Sequence, residues 1–349
     1  FNHKLFRAKT QSSKLVLYIS STVITGYLMN ATNTVDSEEQ VEIDESLPKA
    51  LDKLLKKHTK HKGVNNKTPV YILMDDYFLN MHRLTLNNIQ LKTLAQTIDI
   101  EIDNIHDYEW DKVMADQESK GKHTALIFML KKDVLASIEN VINAYQLKVR
   151  NISPRYLAIK QHIQSQGFHL DKQRLNAIID ISDTRARLFF VLNQKIKLYR
   201  RVTLQKIEQK KKTDLAPIKQ AFKTIAPLYR TAKDQYTARY TNQEIHHIYV
   251  TTDLTNITEL SETIDQQSVI PIADKTTGIK YPEKFRYISG YLDCIQEKNS
   301  FNMVPFQERL EQTIIRKVAI GACAILFSIC LWAGGRGLEL KKEYDRYDI

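Results

Sequence analysis

From Val318 to Gly335 the chain reads VAIGACAILFSICLWAGG without a single charge, and no other stretch restricts its structure so strongly. In lipid every backbone N–H and C=O must be satisfied internally, so an apolar run of this kind is expected to be helical. At about 1.5 Å per residue it comes near the roughly 30 Å hydrocarbon core. Arg316, Lys317 and Arg336 flank it, and Trp332 suits an interfacial belt. The expectation is one transmembrane helix over 318–335, preceded by a large soluble part and followed by 336–349 on the other side.

Orientation follows less directly, because Arg316 and Lys317 before the stretch face Arg336, Lys341, Lys342 and Arg346 after it. The N-terminus shows no charged segment followed by an apolar core, as a secretion signal would. Cys294, Cys323 and Cys330 are too few and too ill-placed for a disulfide framework. On both grounds the soluble part is expected in the cytoplasm and 336–349 outside it. A chain that opens on Phe1 and stops at Ile349, shortly after the apolar stretch, is expected to be a piece of a longer polypeptide.

The soluble part is long enough for two lobes and is globular in composition, with 43% hydrophobic and 26% charged residues. Lys14 to Met29 gives two β-branched runs around Ser20-Ser21-Thr22, a hairpin pattern. Val70 to Met74 and Phe78 to Leu84 repeat that pattern around Asp75-Asp76. Between them Leu47, Leu51, Leu54 and Leu55 fall at helical spacing. Thr124 to Leu130 reads as a strand, Lys132 to Tyr145 as an amphipathic helix, and Pro154 to about Gln166 as another helix. Ala177 to Ile181, Arg187 to Leu192 and Lys195 to Val202 make three successive strands. Leu215 to Tyr240 is helical, with Pro217 in its first turn and Pro227 expected to kink or split it. Glu244 to Thr251 is a further strand. The fold class is therefore α/β, a duplicated architecture with a cleft between two halves.

Several strings carry a family resemblance. LIFMLKKDVLASIENVINAYQLKVRNISPRYLAIKQ (126–161) and AIIDISDTRARLFFVLNQKIKLYRRV (177–202) resemble PilM of type IV pili and GspL of type II secretion, actin-like proteins of assembly platforms. The resemblance spans nearly the whole chain. It implies a tail at 1–13, actin-like lobes at 14–155 and 156–297, and a docking and juxtamembrane segment at 298–317 ahead of the span. Asn302-Met303-Val304-Pro305 looks like the motif that opens PilN, the membrane partner of PilM, which in those systems docks as an extended peptide in a groove of the actin-like domain. Here the two are expected to be fused, with docking in cis or onto a neighbouring copy left open.

The same resemblance implies a nucleotide site, and the residues at its positions argue against one. Actin-like ATPases approach phosphate through glycine-containing turns, with an Asp holding metal and water. The first turn here reads Tyr18-Ile19-Ser20-Ser21-Thr22, so an aromatic replaces the acid and a side chain replaces the glycine. The second keeps Asp180 but has Ser182, followed by Asp183, Thr184 and Arg185. The adenosine strand ends Tyr249-Val250-Thr251-Thr252-Asp253 without glycine. The expectation is a pseudo-enzyme with no cofactor, in which Asp180 is a structural remnant. ATP with magnesium is the alternative.

No GxxxxGK[ST], HExxH or paired CxxC string occurs. His246 and His247 are adjacent in a strand and should point to opposite faces, and His58 and His61 are the other close pair, so no metal site is expected. A net charge of +11 calls for acidic partners. The basic runs at Lys53–Lys67 and Lys206–Lys212 lack an aligned aromatic platform, which disfavours nucleic acid and favours anionic lipid. The resemblance then implies a non-catalytic scaffold in the bacterial inner membrane. Its expected partners are other platform subunits, the assembly ATPase and PilO-like extracytoplasmic subunits, in an oligomeric assembly. An ATP-binding switch and a membrane-tethered nucleic-acid binder are the rival readings.

Overall fold

The computed structural model describes residues 13–60, 64–66, 68–119, 121–165, 170, 174–182, 184–193, 195–205, 216–239, 244–252, 269–271, 282–296 and 301–304. The chain divides after Met303 into units Phe1–Met303 and Val304–Ile349. Of the second unit only Val304 is described. Pro305 and the stretch 318–335 therefore lie outside the described residues, as do Asp183 and Asp253. Among the described residues no helix is long and apolar enough to cross a membrane.

The first unit opens with a meander. Strands β1 (Lys14–Ile19), β2 (Val23–Met29) and β3 (Val35–Glu42) pair antiparallel in order. Helix α1 (Leu47–His58) follows, capped by the Ser46 side chain, which accepts from the Lys49 amide. It buries Leu47, Leu51, Leu54 and Leu55, each contributing about 1.5–3 kcal/mol of apolar burial. Strand β4 (Pro69–Met74) then runs parallel to β1.

The next strand departs from the hairpin expected around Asp75-Asp76. Strand β5 (Leu79–Asn87) leaves this sheet and enters a second one. After α2 (Asn88–Lys92) and α3 (Leu94–Glu101), β6 (Tyr108–Ser119) and β7 (Lys122–Lys131) complete the three-stranded order β5-β7-β6. The chain then returns through α4 (Lys132–Ala144) to β8 (Lys148–Pro154), parallel to β4. With β1 on one side of β4 and β8 on the other, β4 has no free edge for β5. The first sheet thus has the order β3-β2-β1-β4-β8.

Helix α5 (Arg155–Ser165) leads into a repeat of the same plan. Strands β9 (Leu175–Ile181), β10 (Arg185–Leu192) and β11 (Lys195–Thr203) form the second meander. After α6 (Ala216–Arg239), β12 (Ile245–Thr252) and β13 (Val269–Pro271) add in parallel, giving β11-β10-β9-β12-β13. Helix α6 is one element with Pro227 inside it rather than two. Lys223, whose carbonyl loses its helical donor to Pro227, is exposed, so water can satisfy that oxygen.

Each sheet has its own apolar core. In the second, Ile179, Phe190, Phe222, Ile225 and Val250 pack together. The small sheet closes over α3 through Leu84, Leu94, Ile98 and Ile127. The last described helix, α7 (Pro282–Gln296), follows the second sheet in sequence but packs along α5 and reaches β1 and β4 of the first. At their crossing a Cβ on Gly290 would lie 2.1 Å from the Ala158 carbonyl oxygen. Only a glycine lets the two backbones approach this closely.

Candidate functional site

The duplication sets two equivalent turns face to face. In the β1–β2 turn the Ser20 amide donates to the Val23 carbonyl at 2.9 Å, and the Ser20 hydroxyl donates to the same oxygen at 3.0 Å. In the β9–β10 turn Ser182 repeats both bonds to the Arg185 carbonyl, at 2.8 and 3.2 Å. Serine side chains therefore occupy the places where glycine would leave amides open to an anion. The turns also touch: the Ser21 and Thr184 hydroxyls lie 3.1 Å apart. Hydroxyls in hydrogen-bonding contact leave no phosphate-sized gap between them.

Behind the turns two buried arginines fill the cleft. Arg155, the first residue of α5, is 2% exposed, and Arg187, on β10, is 3% exposed. Arg155 donates to the Tyr18 hydroxyl, to Asp180 Oδ1 at 2.6 Å and to the Tyr287 hydroxyl at 2.6 Å. Its guanidinium also lies 4.0 Å from the Tyr287 ring centroid, and Tyr287 stacks on Tyr18 at 5.7 Å. Arg187 donates to Asp180 Oδ2 at 3.0 Å, to Asp75 Oδ1 at 2.5 Å and to Asp76. Tyr199 adds a bond to Asp76 Oδ2 at 3.0 Å, and Arg185 donates to the Asp76 carbonyl at 2.8 Å. Asp75 and Asp76 come from the first lobe, whereas Asp180, Arg187 and Tyr199 come from the second. The network is a clamp between lobes.

The carboxylates of Asp75 and Asp180 and the guanidiniums of Arg155 and Arg187 are buried, and Asp76 is 12% exposed. Asp75, Asp76 and Asp180 face two fully buried guanidiniums, and Arg185 reaches the group only at its solvent edge. Burial pushes the Asp75 carboxyl up to about 7, against the pull of Arg187 and Arg155 and with the help of its neighbour Asp76. Arg187 lies close to Asp75, but it is shared among three carboxylates, so desolvation prevails there. Burial also opposes the Asp76 carboxylate, yet Arg187 and the hydrogen bonds from Arg187, Asp75 and Tyr199 outweigh it and hold Asp76 well below the usual range. For Arg187 the three carboxylates outweigh burial and keep it charged.

A nucleotide with magnesium does not fit this arrangement. The turns have no glycine, their hydroxyls meet, and the acid that would face a metal, Asp180, is committed to two arginines and to Tyr287. Thr252, at the end of β12, is buried beside Ile181, and its neighbour Thr251 lies 3.3 Å from the Tyr287 hydroxyl. The structure thus places Tyr18, Ser20, Asp180, Ser182 and Thr252, all buried, in or beside the two touching turns. The sequence reading missed Arg155, Arg187, Asp75, Asp76 and Tyr287. The available signal was a charge at 187 inside the otherwise apolar run AxLFFVL.

The segment 301–303 forms a strap on the open edge of β8. The Met303 amide donates to the Ile152 carbonyl at 3.0 Å. The Asn302 side chain accepts from the Ile152 amide at 3.1 Å and donates to the Arg150 carbonyl at 3.0 Å, pairing with β8 as a peptide group would. The Asn302 amide donates to Asp111 at 2.8 Å. Asn151 and Ser153 both donate to the Phe301 carbonyl, and the Phe301 ring meets Phe128 edge-on at 5.5 Å. Tyr291 on α7 braces the seat, donating to Asn151 Oδ1 at 2.6 Å.

The chain is similar in fold to solved structures. The PilM–PilN type IV pilus biogenesis complex matches with a TM-score of 0.57 at 12% identity, over 81% of this chain and 98% of that one. The fold is PilM-like and actin-like. The cytoplasmic domain of EpsL, an inner-membrane component of the Vibrio cholerae type II secretion system, matches at TM-score 0.49 and 15% identity, over 84% of this chain and 98% of that one. A protein of actin-like ATPase fold from Bacteroides thetaiotaomicron matches at TM-score 0.45 and 12% identity, over 82% and 97%. No family model and no curated protein matches the chain.

One expectation about the histidines changes. A register shift between Ile245 and His247 breaks the alternation of β12, and the His246 and His247 rings lie 4.0 Å apart instead of on opposite faces. Among the described residues no cluster of His, Cys, Asp and Glu is arranged to hold a metal ion.

Proposed function

We propose that this chain is a non-catalytic scaffold of the inner-membrane platform of a type IV pilus or type II secretion-like machine. The observation that carries the reading is the clamp: the position an actin-like ATPase gives to phosphates holds Arg155 and Arg187 bound to aspartates. Such a domain works by presenting surfaces, not by bond chemistry. In this reading 14–155 and 156–297 are the lobes, and Asn302, Met303, Val304 and Pro305 are a PilN-like motif fused to its own receptor. The stretch 318–335 is then the single membrane anchor, carrying the connection to PilO-like subunits outside, while the cytoplasmic lobes meet the assembly ATPase and further copies of the platform.

The test is genetic. Deleting the gene in its host should abolish surface pili or protein secretion, a chain carrying Asn302→Ala and Pro305→Ala should restore it poorly, and a chain carrying Ser20→Ala should restore it fully. Normal pilus assembly and secretion in the deletion strain would refute the assignment.

A further inference from the structure

The three-stranded sheet is inserted between β4 and β8 and has its own core. Ala125, Ile127 and Met129 of β7 pack on one face of it with Leu94 and Ile98 of α3. Strand alternation turns Phe128, also buried, to the other face. There Phe128 stands in one row with Met81 of β5 and Asp111 of β6. The strap meets that row: the Phe301 ring lies edge-on to Phe128, and the Asn302 amide donates to the Asp111 carboxylate. The remaining bonds of the strap go to β8, through the Asn302 side chain, the Met303 amide and the Phe301 carbonyl. We propose that residues 301–303 are a tether with two sides, which fixes the small sheet against β8 while seated and lets that sheet swing as one body when it leaves.

The connectivity makes the small sheet a lever. It is joined to the first sheet by the turn after β4 and by α4, and both joints lie at one end, because Leu79, where β5 begins, pairs with Leu130, near the end of β7. The Phe128 row lies two residues from that end, about 7 Å, and the far end, where Asn87 pairs with Lys122, lies about 27 Å from it. A displacement of about 1 Å at the strap therefore becomes about 4 Å at the far end, where α2 begins. A body with its own core can move this way without melting, since local opening follows cooperative units. β6 also runs beside β11 of the second meander, a contact that loss of the strap leaves in place. The tether rests on the seating of 301–303 alone, so it stands or falls apart from the pilus or secretion reading.

Distance measurement by double electron–electron resonance on the full chain in detergent tests it, with Cys294, Cys323 and Cys330 replaced by Ser. Spin labels go on Ile89→Cys, 75% exposed on α2, and on Lys53→Cys, exposed on α1. The seated chain should give one narrow distance. Asn302→Ala with Met303→Pro removes the side-chain bonds and the amide donor to β8, and should shift or broaden that distance by more than about 2 Å. A control pair at Lys53→Cys and Arg230→Cys, exposed on α6, should not change. Hydrogen exchange reads the rest: the Ile152 amide, which donates to Asn302, should exchange faster, and the Ile102 amide, which donates to the Ile98 carbonyl inside the small-sheet core, should stay protected. An unchanged distance would overturn the tether, as would an Ile152 amide that stays slow, or a broadened distance with Ile102 protection lost, which is melting and not swinging. If that variant does not fold, Phe301→Ala, which removes only the ring from Phe128, decides by the same readings.

Discussion

Replacing Arg187 by Leu removes the group that binds Asp75, Asp76 and Asp180 at once. Buried Asp75 and Asp180 would then share Arg155, and Asp76 would lose its ion pair. Breaking one buried pair by deleting a partner costs about 3–5 kcal/mol, because the remaining charge stays buried. Arg187 serves three partners, so the upper end, about 5 kcal/mol, is expected. That is a large part of the roughly 5–15 kcal/mol by which a domain is stable. Urea unfolding of the full chain in detergent, followed by circular dichroism, reads the loss as a lowered midpoint. Adding Asp75→Asn and Asp76→Asn in the same chain leaves one carboxylate against one guanidinium and should recover more than half of it. Arg187→Lys keeps the charge but not the planar fork, and should fall between wild type and Leu. A loss below about 1 kcal/mol for Arg187→Leu would refute the clamp, since exposed ion pairs contribute that little.

Other variants probe the frame around the clamp. Gly290→Ala should lower stability by about 1–3 kcal/mol through forced separation of α5 and α7, read as a drop in the thermal midpoint. Asn302→Ala should cost about 1–3 kcal/mol locally, read as faster exchange of the Ile152 amide with little change in the second meander. Ser20→Gly combined with Ser182→Gly restores the glycines of a phosphate-binding turn, yet should give no ATP binding by calorimetry, because Arg155 and Arg187 still fill the cleft.

Local pattern made much of the fold legible. Alternating β-branched runs flanking Ser20-Ser21-Thr22 and the strand series from Ala177 to Val202 form the two meanders as expected, and the leucines from 47 to 55 form the buried face of α1. Phe78 to Leu84 was misread because a hairpin signal says that strands exist, not which edges are free, and β8 had claimed the free edge of β4. That Ser20 and Ser182 stand in the two turns was readable in the sequence. The clamp was not, because Tyr18, Asp75, Arg155, Asp180, Arg187 and Tyr287 are far apart in sequence and meet only once both lobes and α7 are assembled. The His246–His247 contact escaped for a smaller reason, a bulge that strict alternation does not foresee.

The central claim, that a clamp stands where a nucleotide would bind, is tested most directly by isothermal titration of the full chain in detergent with ATP and magnesium. The account predicts no saturable heat up to millimolar nucleotide. Saturable, magnesium-dependent binding that disappears in a folded Asp180→Asn variant would contradict it.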